Sequence, residues 1–385
     1  MNIIYRSNAT KKKFLEILIF LICVTVSFGQ ERYKSFKPGE LWEDTDGVHI
    51  NAHGGGILLV DDTYYWFGEH KIAGSEGNKS MVGVRVYSSE DLYNWKNEGV
   101  ALKVENDTTS MLQKGSVIER PKVIYNSKTD EYVMWFHHEL KGKGYDAALT
   151  GVAVSNKITG PYKYLNSFRL HPGVWPKNFS KAQREQAASY AEDKDLKWEE
   201  RSKHGVYFLR DFEVGQMSRD MTLYKDEGGT AYHITASEEN GTLLISKLSD
   251  DYHSLSKEYV RVFPGGNNEA PAIFKKADKY YMITSGLTGW DPNPARSAVA
   301  NSMFGPWESL GNPVRGTEEQ VKTTFKSQST HILPAPNKDG DFIFMADRWT
   351  PNNPIDGRYL WLPIEFENEK PIIKWYSEWD LDFFN

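Results

Sequence analysis

The chain has 385 residues, of which 39% are hydrophobic and 25% charged, with a net charge of −6. This is the make-up of a folded globular protein, and the aromatic content of 14% excludes a disordered chain. The basic residues form no stripe beyond the N-terminus, which argues against nucleic acid as a partner, because phosphate binding needs one.

Residues 1–29 read as a secretory signal. Arg6, Lys11, Lys12 and Lys13 precede an apolar run from Phe14 to Val26 that is interrupted by Glu16 and Thr25, and Ser27-Phe28-Gly29 offers a small-x-small cleavage site before Gln30. The run is too short to cross about 30 Å of hydrocarbon, so no membrane span is expected. Cys23, the single cysteine, lies inside this run behind Ile22, not behind the small residue that lipidation would need. The mature chain is then expected to be secreted or periplasmic. It would have no disulfide, no thiol nucleophile and no cysteine-bound metal.

From Leu41 onward the pattern is strand, turn, strand. A polar turn followed by an aromatic, β-branched run recurs at Asp61–Gly68, Thr129–Phe136, Gly228–Ile234, Ala277–Ile283 and Lys338–Met345. Several copies are followed by a strand, a polar turn and an aromatic. Examples are Val86-Tyr87-Ser88-Ser89 before Trp95, Val152–Ser155 before Gly160-Pro161-Tyr162, and Ala298-Val299-Ala300 before Gly305-Pro306-Trp307. Five loose copies predict an all-β fold, a five-bladed β-propeller over residues 30–385 as a single domain. A charged, partly helical insertion around 167–215, densest from Lys177 to Lys203, interrupts the rhythm between the second and third blades. It reads as a solvated face, with a wall of the active site as the alternative, and no appended binding module is expected.

Each aromatic run is preceded by a segment holding a polar residue where an apolar one belongs. These segments open the five candidate inner strands with His53, Glu119, Asp220, Glu269 and Gln328, while Glu69 closes the first aromatic run. In a propeller such strands meet on one axis. Three carboxyls and an amide converging there suit acid/base hydrolysis of a glycosidic bond, which needs a proton for the leaving oxygen and a second group for the water. Clustered carboxylates raise one another's pKa and keep an acid protonated near neutrality. The alternative is that Glu119–Arg120 and Arg219–Asp220 form structural ion pairs. His53 reads as a ligand or as a satisfied histidine beside the axis. His137-His138 follows an apolar strand without a carboxylate at zinc-site spacing and reads as structural. No Gly-x-Ser-x-Gly supports serine-esterase chemistry, and Gly54-Gly55-Gly56 lacks the Lys and Ser/Thr of a phosphate loop.

Ala52-His53-Gly54-Gly55-Gly56, Tyr64–Glu69, Glu119-Arg120-Pro121-Lys122, Ser218-Arg219-Asp220, Glu269-Ala270-Pro271-Ala272, Ser285–Trp290 and Ser327-Gln328 together resemble glycoside hydrolase family 43, over essentially all of residues 41–385. Within it they look like the branch of exo-β-1,3-galactanases that act on arabinogalactan. The resemblance implies an inverting mechanism with Glu269 as general acid and Asp220 as the carboxylate that raises its pKa and orients it. Most of the family carries a base Asp on the first inner strand, where this chain reads Asn51-Ala52-His53. The galactanase branch shares that gap. There a glutamine matching Gln328 is proposed as base, with a glutamate matching Glu119 supporting the transition state. A neutral amide is a very poor base, so the division of roles between Gln328 and Glu119 stays open.

The candidate substrate-binding residues are Glu69, His53, Thr288, Trp290, Arg348 and Trp349. The expected partner is a polysaccharide or oligosaccharide, cleaved from its non-reducing end at β-1,3-linked galactose. α-L-Arabinofuranosidase activity is the alternative, and a non-catalytic glycan-binding propeller that lost its base is the remote one. No cofactor is expected. The resemblance allows a structural Ca²⁺ on the axis, for which the motifs supply no support. Nothing demands more than a monomer.

Overall fold

The computed structural model describes residues 33–336 and 338–385, and the signal segment read at 1–29 lies outside the described residues. Five sheets form the fold, and in each four antiparallel strands follow chain order, with the short strand Val314–Arg315 added in parallel at the outer edge of the fifth. The recurrent aromatic runs become the second strand of every sheet: Thr63–His70, Glu131–Glu139, Ala231–Ser237, Lys279–Ser285 and Phe342–Arg348. Their turns explain the spacing. Asp61 and Asp62 both adopt left-handed backbone between Val60 and Thr63, a two-residue turn whose twist matches that of the flanking strands.

The inner strands are His53–Val60, Val117–Asn126, Met221–Lys225, Glu269–Lys276 and Gln328–Pro334. Each contacts the inner strands of the neighbouring sheets around a closed ring, so the protein is an all-β, five-bladed β-propeller. Apolar clusters fill the wedges between blades. The largest lies between the fifth and first blades, where Trp66, Trp95, Trp361, Phe36 and Trp379 pack together. It closes the ring. Phe36 and Trp379 exchange backbone hydrogen bonds of 2.7 and 3.1 Å, and their rings lie 4.5 Å apart. Truncating the fully buried Trp361 would cost about 3–5 kcal/mol.

Four inner strands carry a register slip near their start: His53/Gly56, Glu119/Lys122, Glu269/Ala272 and Ser329/His331. In three of them the residue after the polar one is left-handed, Gly54 (φ 62°), Arg120 (φ 56°) and Ala270 (φ 50°). A bulge re-aims side chains, and left-handed backbone at a non-glycine costs ~1–3 kcal/mol. The same device recurs where the polar residues enter the axis.

Between the second and third blades lie the helices Lys181–Ala191, Trp198–Lys203 and Val206–Arg210. Ser180 and Gln183 form a reciprocal cap at the first. This segment is not only a solvated face. Phe179 and Phe208 pack with Leu244 and Tyr259 of the third blade. Arg261 makes a two-pronged pair with the buried Glu238 (2.6 and 2.7 Å) and donates to the Ser202 carbonyl. Arg210 and Arg219 both pair with Glu239, so the insertion braces the loop that precedes Asp220.

Candidate active site

At the mouth of the hub is a cavity of about 180 Å³ lined by Glu69, Glu119, Arg120, Tyr145, Asp220, Glu269, Gly289, Trp290, Gln328 and Trp349. Every blade supplies at least one lining residue. A neighbouring cavity of about 390 Å³ shares Gly289, Trp290, Gln328 and Trp349 as its wall. Trp290, which is 45% exposed, meets Trp349 edge to face at 5.9 Å. The two indoles give the mouth flat apolar surfaces beside its charges.

Arg120 organises the floor. Its left-handed backbone swings the side chain across the hub, where Nε and Nη2 donate to Asp220 Oδ1 (3.1 Å) and Oδ2 (3.0 Å). Nη2 also donates to Gln328 Oε1, Nη1 donates to the Ser329 carbonyl (2.8 Å), and the Arg120 backbone N–H donates to Glu69 Oε1 (2.9 Å). Its guanidinium faces the Trp349 ring at 5.6 Å. Through its side chain and its backbone N–H this one residue links four blades. The ion pairs suspected between sequence neighbours form with other partners instead: Arg120 pairs with Asp220 across blades, and Arg219 with Glu239 within the third blade.

Glu269 accepts from Asn240 Nδ2 at 2.7 Å, and the neighbouring Ala270 N–H donates to Asp220 Oδ2 at 3.1 Å. Burial and then the charge of Asp220 push the Glu269 carboxyl up to about 8, against the pull of Arg120 and Arg219. Glu269 therefore carries its proton at neutral pH. Glu119 is the opposite case. Burial would raise it, but the hydrogen bond and charge of His137, then Lys71 and Tyr145, hold it down at about 2. His137 Nδ1 lies 2.9 Å from Glu119 Oε2, and the Tyr145 hydroxyl donates to Oε1 at 2.7 Å. Glu69, buried and raised by that burial, sits 2.6 Å from Lys71 Nζ.

Gln328 is held at both ends of its amide. Its carbonyl oxygen accepts from Arg120, and Nε2 donates to Ser285 Oγ at 2.8 Å. An amide oxygen that already receives a guanidinium proton is a still weaker base, and this arrangement suits orienting a water.

Glu269, Asp220, Glu119, Gln328, Glu69, Trp290 and Trp349 thus meet in one cavity. His53, Thr288 and Arg348 do not line it. His53 is fully buried between Trp349 and Tyr359, with ring centroids 5.6 Å away from each, and so backs the Trp349 indole. Thr288 ties its own loop, donating to the Asp291 carbonyl and accepting from Asn293 Nδ2. Arg348 lines the neighbouring cavity, donating from Nε to the Phe325 carbonyl beside the Trp375 ring. The reading from sequence missed Arg120, Tyr145 and Asn240 as site residues, and it took His137 as merely structural. The oddity that pointed to Arg120 was a long cation inside an otherwise strand-forming segment.

The axis below the floor does not suit a divalent ion. Lys122 Nζ donates there to the Gly54 carbonyl at 2.7 Å, and burial with the nearby Arg120 charge lowers it to about 7. His331 lies beside it, kept neutral by burial and by Lys122. Ca²⁺ would want about six to eight oxygens. Among the described residues no group of three or more His, Cys, Asp or Glu side chains is placed to hold a metal. Among the same residues no helix is long and apolar enough to cross a membrane.

Residues 174–366 match the family model of glycosyl hydrolases family 43. Among solved structures the chain is similar to the GH43 β-1,3-galactosidase BT3683 with galactodeoxynojirimycin, at 51% identity over 90% of this chain and 100% of that one, with a TM-score of 0.85. It is similar to the exo-β-1,3-galactanase from Phanerochaete chrysosporium with β-1,3-galactotriose, at 32% identity over 90% of this chain and 68% of that one, with a TM-score of 0.71. It is also similar to an exo-β-1,3-galactanase from Clostridium thermocellum, at 32% identity over 90% of this chain and 67% of that one, with a TM-score of 0.73. Among curated proteins none matches significantly. With its propeller hub and paired carboxyls, the chain is a glycoside hydrolase. It belongs to glycoside hydrolase family 43.

Proposed function

We propose that the protein is an inverting exo-β-1,3-galactosidase that removes single galactose units from the non-reducing ends of arabinogalactan-type chains. The observation that carries this reading is a carboxyl held protonated, Glu269, in the same Trp-walled cavity as an ionised one, Glu119. The cavity is smaller than the ~300–1,000 Å³ usual for drug-sized ligands, which suits one sugar unit and hence exo action. The linkage follows the β-1,3-galactosidase and exo-β-1,3-galactanases to which the chain is similar.

In this mechanism Glu269 gives its proton to the glycosidic oxygen as the bond to the anomeric carbon breaks and the bonding pair leaves with that oxygen. Asp220, fixed by Arg120, supplies the negative charge that keeps the acid protonated. Gln328 orients the water whose oxygen attacks the anomeric carbon, and Glu119 takes the proton that this water loses. A weakly basic carboxylate suffices, because a water bonding to an oxocarbenium-like carbon becomes strongly acidic. Glu119 and Glu269 stand on the second and fourth blades and reach the same cavity from different directions. The chemistry calls on no metal or cofactor. With the signal read at residues 1–29, the enzyme works outside the cytoplasm, as a monomer.

The test is incubation with β-1,3-galactan and, separately, with an aryl α-L-arabinofuranoside, following the first-formed product by proton NMR. Release of α-galactose from the galactan is expected. Release of arabinose alone, or of β-galactose first, overturns the substrate or the stereochemistry.

A further inference from the structure

We infer that His137 and Glu139 are positioning residues that pin Glu119 as a fixed anion facing the cavity, through a carboxylate–imidazole–carboxylate chain running from the sugar site into the second blade.

The chain is built into the strand register. Glu119 on the inner strand pairs directly with His137 on the second, and Glu139 follows two residues later on the same strand. Imidazole Nδ1 lies 2.9 Å from Glu119 Oε2, and Nε2 lies 2.9 Å from Glu139 Oε1. Glu139 is 0% exposed, and its second oxygen accepts the Ala148 N–H at 2.9 Å. Lone-pair counting then fixes the protons. An ionised carboxylate only accepts, and a neutral imidazole has one N–H to give. Two carboxylates can both be satisfied by one ring only if that ring carries both protons. A buried carboxylate without a cation is costly, so Glu139 demands the imidazolium, and the imidazolium in turn keeps Glu119 ionised.

The groups around the chain agree. Burial would lower His137, yet its hydrogen bonds to Glu119 and Glu139 hold it up at about 9. From the first blade Lys71 favours the Glu119 anion and Glu69 opposes it, while Tyr145 donates a hydrogen bond to it. Arg120 follows Glu119 on its own strand, and from the fourth blade Glu269 faces Glu119 and is raised by its charge. His138, beside His137, is pushed down to about 4 by burial and by the His137 charge, so only one of the two adjacent histidines is a cation.

The arrangement has a catalytic consequence. At rest the three groups carry a net charge of −1. When Glu119 accepts the proton of the attacking water, the chain becomes neutral, with Glu139 still offsetting the imidazolium. Without Glu139 the same step would leave an uncompensated positive charge in the blade. His137 thus orients Glu119, and Glu139 keeps it able to take a proton.

The role in turnover rests on the proposed galactosidase reading, whereas the protonation of His137 does not, so the two are tested separately. In protein labelled with ¹⁵N-histidine, with the His137 signals assigned by their loss in His137→Gln, both ring nitrogens are expected to be protonated at pH 7.5 and to titrate near 9. In Glu139→Gln the midpoint is expected to fall by at least about one pH unit. A neutral His137 at pH 7.5 in the wild type overturns the inference whatever the substrate. On a β-1,3-galactobiose, His137→Gln and Glu139→Gln are expected to lower kcat by about 10- to 100-fold with KM within about threefold, His137→Gln the more severely. His137→Gln should also move the acid limb of the pH profile upward, because Glu119 loses its cation. A folded His137→Gln enzyme with wild-type kcat and pH profile overturns the inference. If that variant fails to fold, Glu139→Gln and the titration decide. A wild type that releases nothing from the galactobiose defeats the galactosidase reading and leaves the titration to judge the chain.

Discussion

Arg120 holds Asp220 with a two-pronged hydrogen bond across the hub, at 3.1 and 3.0 Å, from a backbone that a bulge has forced into the left-handed region. The pair connects the two halves of the site, because Asp220 also receives the Ala270 N–H next to Glu269, and Arg120 also donates to the Gln328 oxygen and, from its backbone N–H, to Glu69. Lysine cannot reproduce a planar fork. Arg120→Lys should therefore lower kcat by about 100-fold or more, and breaking the buried pair should destabilise the fold by about 3–5 kcal/mol. Steady-state kinetics with denaturant unfolding checks both numbers.

Glu269→Gln removes the proton donor and keeps the shape of the cavity. Turnover of a β-1,3-galactobiose should fall by about 10²–10⁴-fold, with galactose binding by calorimetry changed little. A variant that still turns over at more than a tenth of the wild-type rate would remove Glu269 from the acid role.

The raised pKa of Glu269 fixes two pH dependences. Activity needs the protonated form, so kcat/KM should decline as pH rises through about 8. Stability follows the same sign. A carboxyl raised above its ordinary 4.5 in the fold contributes stability that is full below about 4.5 and is lost as pH climbs through about 8. Replacement by glutamine abolishes that loss. Thermal melts of the wild type and Glu269→Gln should diverge between pH 4.5 and 8, with the variant the relatively more stable at alkaline pH.

Gly54 has φ +62°, and a Cβ there would lie 2.3 Å from Glu69 Oε1 and 3.3 Å from the Arg120 backbone nitrogen. Gly54→Ala should cost at least about 1 kcal/mol for the backbone alone and displace Glu69 from the sugar site. KM is expected to rise in the folded variant, measured alongside its unfolding midpoint.

The blade repeat was legible because each second strand is an aromatic run behind a polar turn, a local pattern. The entry of Glu119, Asp220, Glu269 and Gln328 into the hub was legible because polar residues stood where strand interiors should be apolar. The bulges were not. The slip beside His53 leaves its ring buried behind Trp349, while the corresponding positions in the second and fourth blades send Glu119 and Glu269 into the cavity. Arg120 was hidden because its partner is 100 residues away in sequence, and no local pattern encodes a cross-blade pair. His137 carries no zinc-ligand spacing to mark it, because its partners are Glu119 across the ladder and Glu139 along the same strand.

The most direct test of Glu269 as a protonated acid compares two leaving groups in the Glu269→Gln enzyme. A β-1,3-linked galactose must be protonated to depart, whereas the dinitrophenolate of dinitrophenyl β-galactoside leaves unaided. The account predicts a loss of about 10²–10⁴-fold on the β-1,3-galactobiose and near wild-type rates on the aryl substrate. Equal losses on both would contradict it.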